Sequence, residues 1–254
     1  MDALVEPKAS FVSVVAPAFN EGDGIAVVTR QWCAILTQMP WVERFEIVIA
    51  DDGSTDDTVA VLRTLQNDGL PIRLVELGAN RGAGVALKEG LSNSRGDYVL
   101  LTDSDGQFDL RDSQQLWAVL LTSGADMVVG NRPEKRDNIL LRIGSRASAA
   151  AIQYALGTQT IDVNSAFKLG HGPFMRALPL EARHLNYSAD VLCKAIEFGG
   201  VVAACTVSHS QRRAGTSSAR LLEDGTARIA FTGYCLLRQA LIRRRVIDIQ
   251  RIHP

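Results

Sequence analysis

Between residues 11 and 123 the sequence repeats one pattern four times: a short run of apolar, largely β-branched residues, then a segment with apolar residues at helical spacing. The runs are Phe11–Ala16, Phe45–Ala50, Ile72–Glu76 and Tyr98–Thr102, and a fifth, Asp126–Gly130, closes the series. The segments between them, Ile25–Met39, Thr58–Asn67, Gly84–Ser94 and Ser113–Ser123, are predicted helices. Continuous apolar runs of this length suit strands covered on both faces. Parallel neighbours need a crossover, and a helix between each pair supplies it, so the chain is expected to be α/β with a mostly parallel sheet and helices on both faces.

After Gly130 the rhythm changes. A basic, loop-like stretch, GNRPEKRDN, precedes a predicted helix over Ile139–Leu156, a strand around Val163–Leu169, a helix near Ser188–Phe198 and a strand near Val201–Ser208. This second half reads as a cover over one edge of the sheet. Residues 1–220 are expected to form one domain, with residues 221–254 as an amphipathic helical extension.

Composition excludes several classes. With 46% hydrophobic and 22% charged residues the chain can bury a core and does not read as disordered. The balance of 27 basic against 28 acidic side chains argues against a general nucleic-acid binder, so any basic patch must be local. Cys33, Cys193, Cys205 and Cys235 form no CxxC pair and read as free thiols in a reducing compartment. The opening MDALVEPKAS has acids and a proline where a secretory signal has a basic start and an apolar run, so a cytoplasmic location is expected. No stretch reaches the roughly 20 uninterrupted apolar residues of a spanning helix; the best, Ile229 to Ile242, contains Arg238.

In open α/β sheets ligands sit beyond the carboxyl ends of the strands. Here those ends carry PAFNEGDG, DDGSTDD, GANRGAG and DSDGQ. Asp, Asn, Gly and Ser also favour ordinary turns and helix caps, but four successive ends offering such groups to one rim point to a ligand. Asp103, Asp105 and Gln107 supply alternating oxygen donors directly after a buried strand, a pattern suited to Mg²⁺ or Mn²⁺ with positions left for phosphate oxygens. GxxxxGK[ST] is absent, and the first turn lacks the glycine spacing of a dinucleotide fingerprint.

In this order VSVVAPAFNE, VIADDGSTDDT, NRGAGVAL, GDYVLLTDSDGQ, VVGNR, DVNSAFKL and HSQRRAGTS resemble the successive blocks of a family 2 glycosyltransferase with the GT-A fold. Within that family they are most similar to the dolichol-phosphate mannose synthase and polyprenyl-phosphate hexosyltransferase group, which has DADGQ where this chain has DSDGQ. The resemblance covers about residues 11–220. It implies that Pro17, Phe19 and Glu21 wall the nucleoside, that Asp52 accepts a hydrogen bond from the base, and that Asp103 faces the ribose or the metal. It gives Asp105 and Gln107 to the metal bridging the donor diphosphate, Arg132 and Arg142 to an acceptor phosphate, and Arg212 to a mobile loop closing over the donor. Arginine's planar fork suits phosphate oxygens; Arg136 and Arg213 stay unassigned. Asp190 stands where hydroxyl-accepting relatives carry a catalytic carboxylate, and reads equally as a base, a substrate contact or a helix cap.

The expected function is therefore metal-dependent, inverting transfer of a hexose from a nucleoside-diphosphate sugar to a polyprenyl phosphate. The alternatives are a soluble hydroxyl or amine acceptor on the same fold, and sugar-nucleotide binding without turnover. Near the C-terminus, Ile229, Ala230, Gly233, Leu236, Leu237, Ala240 and Leu241 fall on one helical face, with Arg238 and Arg243–Arg245 outside it. Such a stripe most often packs on its own domain or on a second copy of the chain; the alternative is the interface of an anionic membrane.

Overall fold

The computed structural model describes residues 8–132, 139–158, 160–184, 186–210, 221–244, 247 and 252. Its elements are β1 (Val12–Ala18), α1 (Gly22–Gln38), β2 (Phe45–Asp51), α2 (Thr58–Asn67), β3 (Ile72–Glu76), α3 (Ala83–Asn93), β4 (Tyr98–Leu101) and α4 (Ser113–Ser123). There follow β5 (Met127–Asn131), α5 (Ile139–Leu156), β6 (Lys168–His171), α6 (Gly172–Ala177), α7 (Tyr187–Glu197), β7 (Val202–Thr206) and α8 (Leu221–Arg243). One seven-stranded sheet takes the order β3-β2-β1-β4-β6-β5-β7. The first four are parallel to one another, β6 runs antiparallel to both β4 and β5, and β7 pairs parallel with β5. The expected α/β class is met, with one reversed strand.

Alternation along the strands builds a core on each face. Val12, Val14 and Ala16 join Trp32, Trp41 and Trp117 on one side, while Val15, Val48 and Val99 join Leu87 and Val191 on the other. Trp41 and Trp117 stack at 4.9 Å on the first side.

The strand expected over Val163–Leu169 is shorter and later, Lys168–His171. Asp162 to Ser165 makes a turn instead: the Asn164 N–H donates to Asp162 Oδ1 at 3.1 Å, and the Ser165 N–H to the Asp162 carbonyl at 3.1 Å. This is the local bonding that Asp, Asn and Ser offer in competition with a ladder. Val163, Ala166 and Phe167 are buried ahead of the strand, and of these only Phe167 bonds to β5, its carbonyl accepting the Gly130 N–H at 2.8 Å.

The extension contains α8, which lies along α5. Its inward side is mixed: Cys235 is buried in the second core with Phe231 packed against it, while Arg238 donates to Glu197 (2.7 Å), Arg243 to the Ala155 carbonyl (2.7 Å), and Thr232 shares a bond with Ser148 (2.6 Å). The packing of the apolar stripe on its own domain, expected above, is not found, because Phe231, Cys235 and those polar anchors occupy the inward side. Ile229, Ala230, Gly233, Leu236, Leu237 and Ala240 face outward, with Ile229 75% and Leu237 62% exposed.

Candidate active site

The sheet order reverses between β1 and β4. β2 and β3 extend from β1 in one direction, and the later strands from β4 in the other. Neighbouring strands whose connections leave in opposite directions open a crevice at their carboxyl ends. Pro17 lies within β1, opposite Ala50, and Phe19 and Glu21 follow the strand. Phe19 is half-buried and Glu21 is buried. The loop after β1 is tied to the loop after β2: the Thr55 N–H donates to Asn20 Oδ1 (2.8 Å), Asn20 N–H to Ser54 Oγ (2.9 Å), and Gly22 N–H to Asp56 (3.0 Å). Residues separated by more than 30 positions thereby form one rim.

Beyond β4, Asp103, Asp105 and Gln107 are all half-buried. Asp105 Oδ1 accepts the Gln107 N–H at 3.0 Å, which bends the loop back, and Gly106 takes the positive φ of 71° that the bend requires. The Gln107 side chain donates to the Ser210 carbonyl at 3.2 Å, leaving its amide oxygen as an acceptor. The Tyr187 hydroxyl, at the start of α7, donates to Asp103 Oδ1. Among the described residues no three or more His, Cys, Asp or Glu side chains gather as a complete metal cage. Two carboxylates and an amide oxygen at an open edge fit a hard divalent ion that completes its shell with water and phosphate oxygens.

The structure gives other expected site residues different immediate tasks. Asp52 is buried, and its carboxylate accepts the N–H groups of Arg81 (2.7 Å) and Gly82 (2.9 and 3.0 Å), so it fastens the loop after β3. Burial raises its pKa despite those bonds and the nearby His184, with Asp51 adding to the rise. The helix-cap reading of Asp190 is overturned, since Asn186 is the N-cap of α7 and Asp190 lies a turn further in. Asp190 is 1% exposed; its Oδ2 accepts the N–H groups of Glu181 (2.7 Å) and Ala182 (2.8 Å), and burial holds its pKa above the ordinary value. Arg132 makes a forked ion pair with Asp162, at 2.8 and 3.3 Å. That fork leaves the second amino group of the guanidinium unbonded by Asp162. The side chain of Arg142 and all of Arg136, Arg212 and Arg213 lie outside the described residues.

Reasoning from the sequence missed Asp162, Tyr187 and Lys168. Lys168 is fully buried in β6, paired with Leu101 on one side and Val129 on the other, and its ammonium donates to the Ser165 carbonyl. The signal was present: a lysine flanked by apolar residues in a strand covered on both faces cannot reach water as lysines usually do. Burial lowers its pKa from 10.5 to about 7, opposed by Asp162 and Asp103 and reinforced by Arg132. Between those two values the unfolded chain binds more protons than the native state, so stability rises with pH across that window. Each pH unit there is worth up to about 1.4 kcal/mol. Lys168→Met is expected to flatten that slope and to melt higher at neutral pH. Melting temperatures of both proteins at several pH values from neutral upward check this; parallel slopes would contradict it.

The open α/β sheet, with an acid-rich rim at its switch point, is of the GT-A type. Residues 13–182 match the sequence profile of glycosyl transferase family 2, and the chain belongs to that family. Its curated relatives include the dodecaprenyl-phosphate galacturonate synthase of Rhizobium johnstonii, 29% identical over 66% of this chain and 50% of the relative. Another is the undecaprenyl-phosphate 4-deoxy-4-formamido-L-arabinose transferase of Edwardsiella ictaluri, 27% identical over 84% of this chain and 64% of the relative. The chain thus spans one half to just under two thirds of the length of these two. Among solved structures, glucosyl-3-phosphoglycerate synthase from Mycobacterium tuberculosis with Mn²⁺, UDP-glucose and phosphoglyceric acid superposes with a TM-score of 0.68. It is 24% identical, over 91% of this chain and 79% of that one, a likeness that establishes the fold. Among the described residues no helix is long and apolar enough to cross a membrane.

Proposed function

We propose that this protein transfers a hexose, with inversion, from a nucleoside-diphosphate sugar to a polyprenyl phosphate. The observation that carries the reading is the placement of Asp103, Asp105 and Gln107 at the end of β4, beside the end of β1 and across from the rim built by Asn20, Ser54 and Asp56. A phosphate oxygen of the acceptor attacks the anomeric carbon, the bond from that carbon to the diphosphate breaks, and the nucleoside diphosphate leaves with the electron pair. When bound by Asp103, Asp105 and Gln107, a Mg²⁺ or Mn²⁺ ion supplies positive charge beside the diphosphate as negative charge develops there. Pro17, Phe19 and Glu21 line the nucleoside side of the crevice. Asp52 shapes the loop facing the base through its bonds to Arg81 and Gly82, and its remaining lone pairs are available to the base itself.

Three observations support a phosphate as the acceptor. The carboxylate that a hydroxyl nucleophile would need as a base corresponds to Asp190, which is 1% exposed and has Oδ2 engaged by two backbone N–H groups; a phosphate monoester arrives already anionic and needs no such base. Arg132 is held by Asp162 at the end of β5 with one amino group not engaged by Asp162. The curated relatives named above bear the names of enzymes acting on polyprenyl phosphates. Incubation with a panel of nucleotide sugars and either a short polyprenyl phosphate or soluble alcohols and amines, followed by product mass determination, tests the reading. A glycosylated polyprenyl phosphate is the expected product; glycosylation of the soluble acceptors alone would overturn it.

A lipid acceptor requires the protein to meet a membrane. The outward stripe of α8, with the exposed Arg244 at its C-terminal end, suits the interface of an anionic bilayer, with apolar side chains among the acyl chains and the arginine at the head groups. Replacement of Ile229 and Leu237 by Asp is expected to abolish sedimentation with phosphatidylglycerol vesicles while leaving nucleotide binding intact, and binding of the parent protein should weaken with added salt. A parent protein that forms dimers and ignores vesicles would assign the stripe to contact between copies.

A further inference from the structure

We propose that Tyr187 is a positioning residue for the metal site, its hydroxyl fixing the Asp103 carboxylate so that the second oxygen is presented to a divalent cation. The inference rests on the metal-site reading above. Tyr187 opens α7, and its ring is wedged between the two hydrophobic cores, in contact with both. The hydroxyl donates to Asp103 Oδ1, while Oδ2 takes no hydrogen bond from a described residue. An aspartate just beyond the end of a strand has two free side-chain torsions, and an ion that must first order it loses affinity in doing so. A bond to a ring already clamped by packing removes that freedom beforehand.

The start of α7 is itself a fixed reference. One turn along, Asp190 holds the N–H groups of Glu181 and Ala182, and the carbonyl of Arg183 accepts the Gly84 N–H at 2.9 Å. The first turn of α7 is therefore fastened to the loop after β3, whose Arg81 and Gly82 are held in turn by Asp52. Through Tyr187 the same turn reaches the loop after β4, so the metal loop and the base-side loop share one anchor.

Titration of the purified protein with Mn²⁺ alone, followed by the loss of the free-ion electron paramagnetic resonance signal, tests the proposal. Tyr187→Phe keeps the ring and removes only the hydroxyl. Loss of an outer-shell partner of this kind typically costs about 10-fold or more in metal affinity, and that is the expected weakening, with the Mn²⁺ activation curve for transfer displaced to higher concentration by a similar factor. Unchanged Mn²⁺ affinity in Tyr187→Phe, with affinity lost in Asp105→Asn, would overturn the positioning role and leave the metal site standing. A parent protein that binds no Mn²⁺ would instead overturn the metal-site reading itself.

Discussion

Asp105→Asn is expected to reduce transfer at least about a hundredfold, because charge stabilisation by a bound cation is worth several kcal/mol at the transition state. The substitution removes one of the two carboxylates offered to the ion and leaves the loop intact, since Asn retains the oxygen that accepts the Gln107 N–H at 3.0 Å. Asp105 is only half-buried, so the melting temperature should move little. Rates of the parent and the variant, each with Mn²⁺ and with excess EDTA, separate the effects. The parent in chelator should resemble the variant, whereas full activity of either protein in chelator would remove the metal from the mechanism.

Gly82→Ala is expected to have the largest effect on stability. Gly82 has φ of 100°, a conformation L side chains rarely adopt, and a Cβ there would lie 2.1 Å from the Arg183 carbonyl oxygen. Strained backbone of this kind costs roughly 1–3 kcal/mol, and overpacking against a backbone that cannot swing aside adds roughly 1–3 kcal/mol. For a chain of this size each kcal/mol lowers the melting temperature by about 2–4 °C, so a fall approaching 10 °C is expected. Moving Arg183 also loosens the segment that Asp190 holds, and moving Gly82 withdraws bonds from Asp52. Nucleotide affinity should therefore fall along with stability. Thermal melting and nucleotide titration of the variant check both, and an unchanged melting temperature would contradict the close packing of the two loops.

The part of the chain built from local pattern was legible. The five apolar runs and the helices between them were visible as periodicity, and DSDGQ at the end of β4 was visible as acidic residues where a strand must stop. What was not legible depended on partners distant in sequence. Tyr187 looks like any aromatic residue at a helix start until its hydroxyl is seen on Asp103, 84 positions earlier. Asp190 could be a cap, a contact or a base from sequence alone, and only the fold shows it holding Glu181 and Ala182. The apolar stripe of α8 was readable as a stripe, but its direction was not. On the inward side Phe231 and Cys235 meet the second core, and Thr232, Arg238 and Arg243 find Ser148, Glu197 and Ala155. The turn at Asp162–Ser165 was a misreading of period: Val163, Ala166 and Phe167 are apolar and buried, yet the side-chain oxygens of Asp162 and Ser165 bond the local backbone.

Phosphorus nuclear magnetic resonance of a short polyprenyl phosphate, incubated with the protein, Mn²⁺ and the donor that the mass screen identifies, tests the central claim most directly. The proposed chemistry converts a phosphate monoester into a diester while releasing a nucleoside diphosphate, and both changes are resolved in one spectrum. The monoester resonance should give way to a diester resonance in step with nucleoside diphosphate release, and both should stop with EDTA. Donor consumed while the lipid phosphate remains a monoester would contradict transfer to that phosphate.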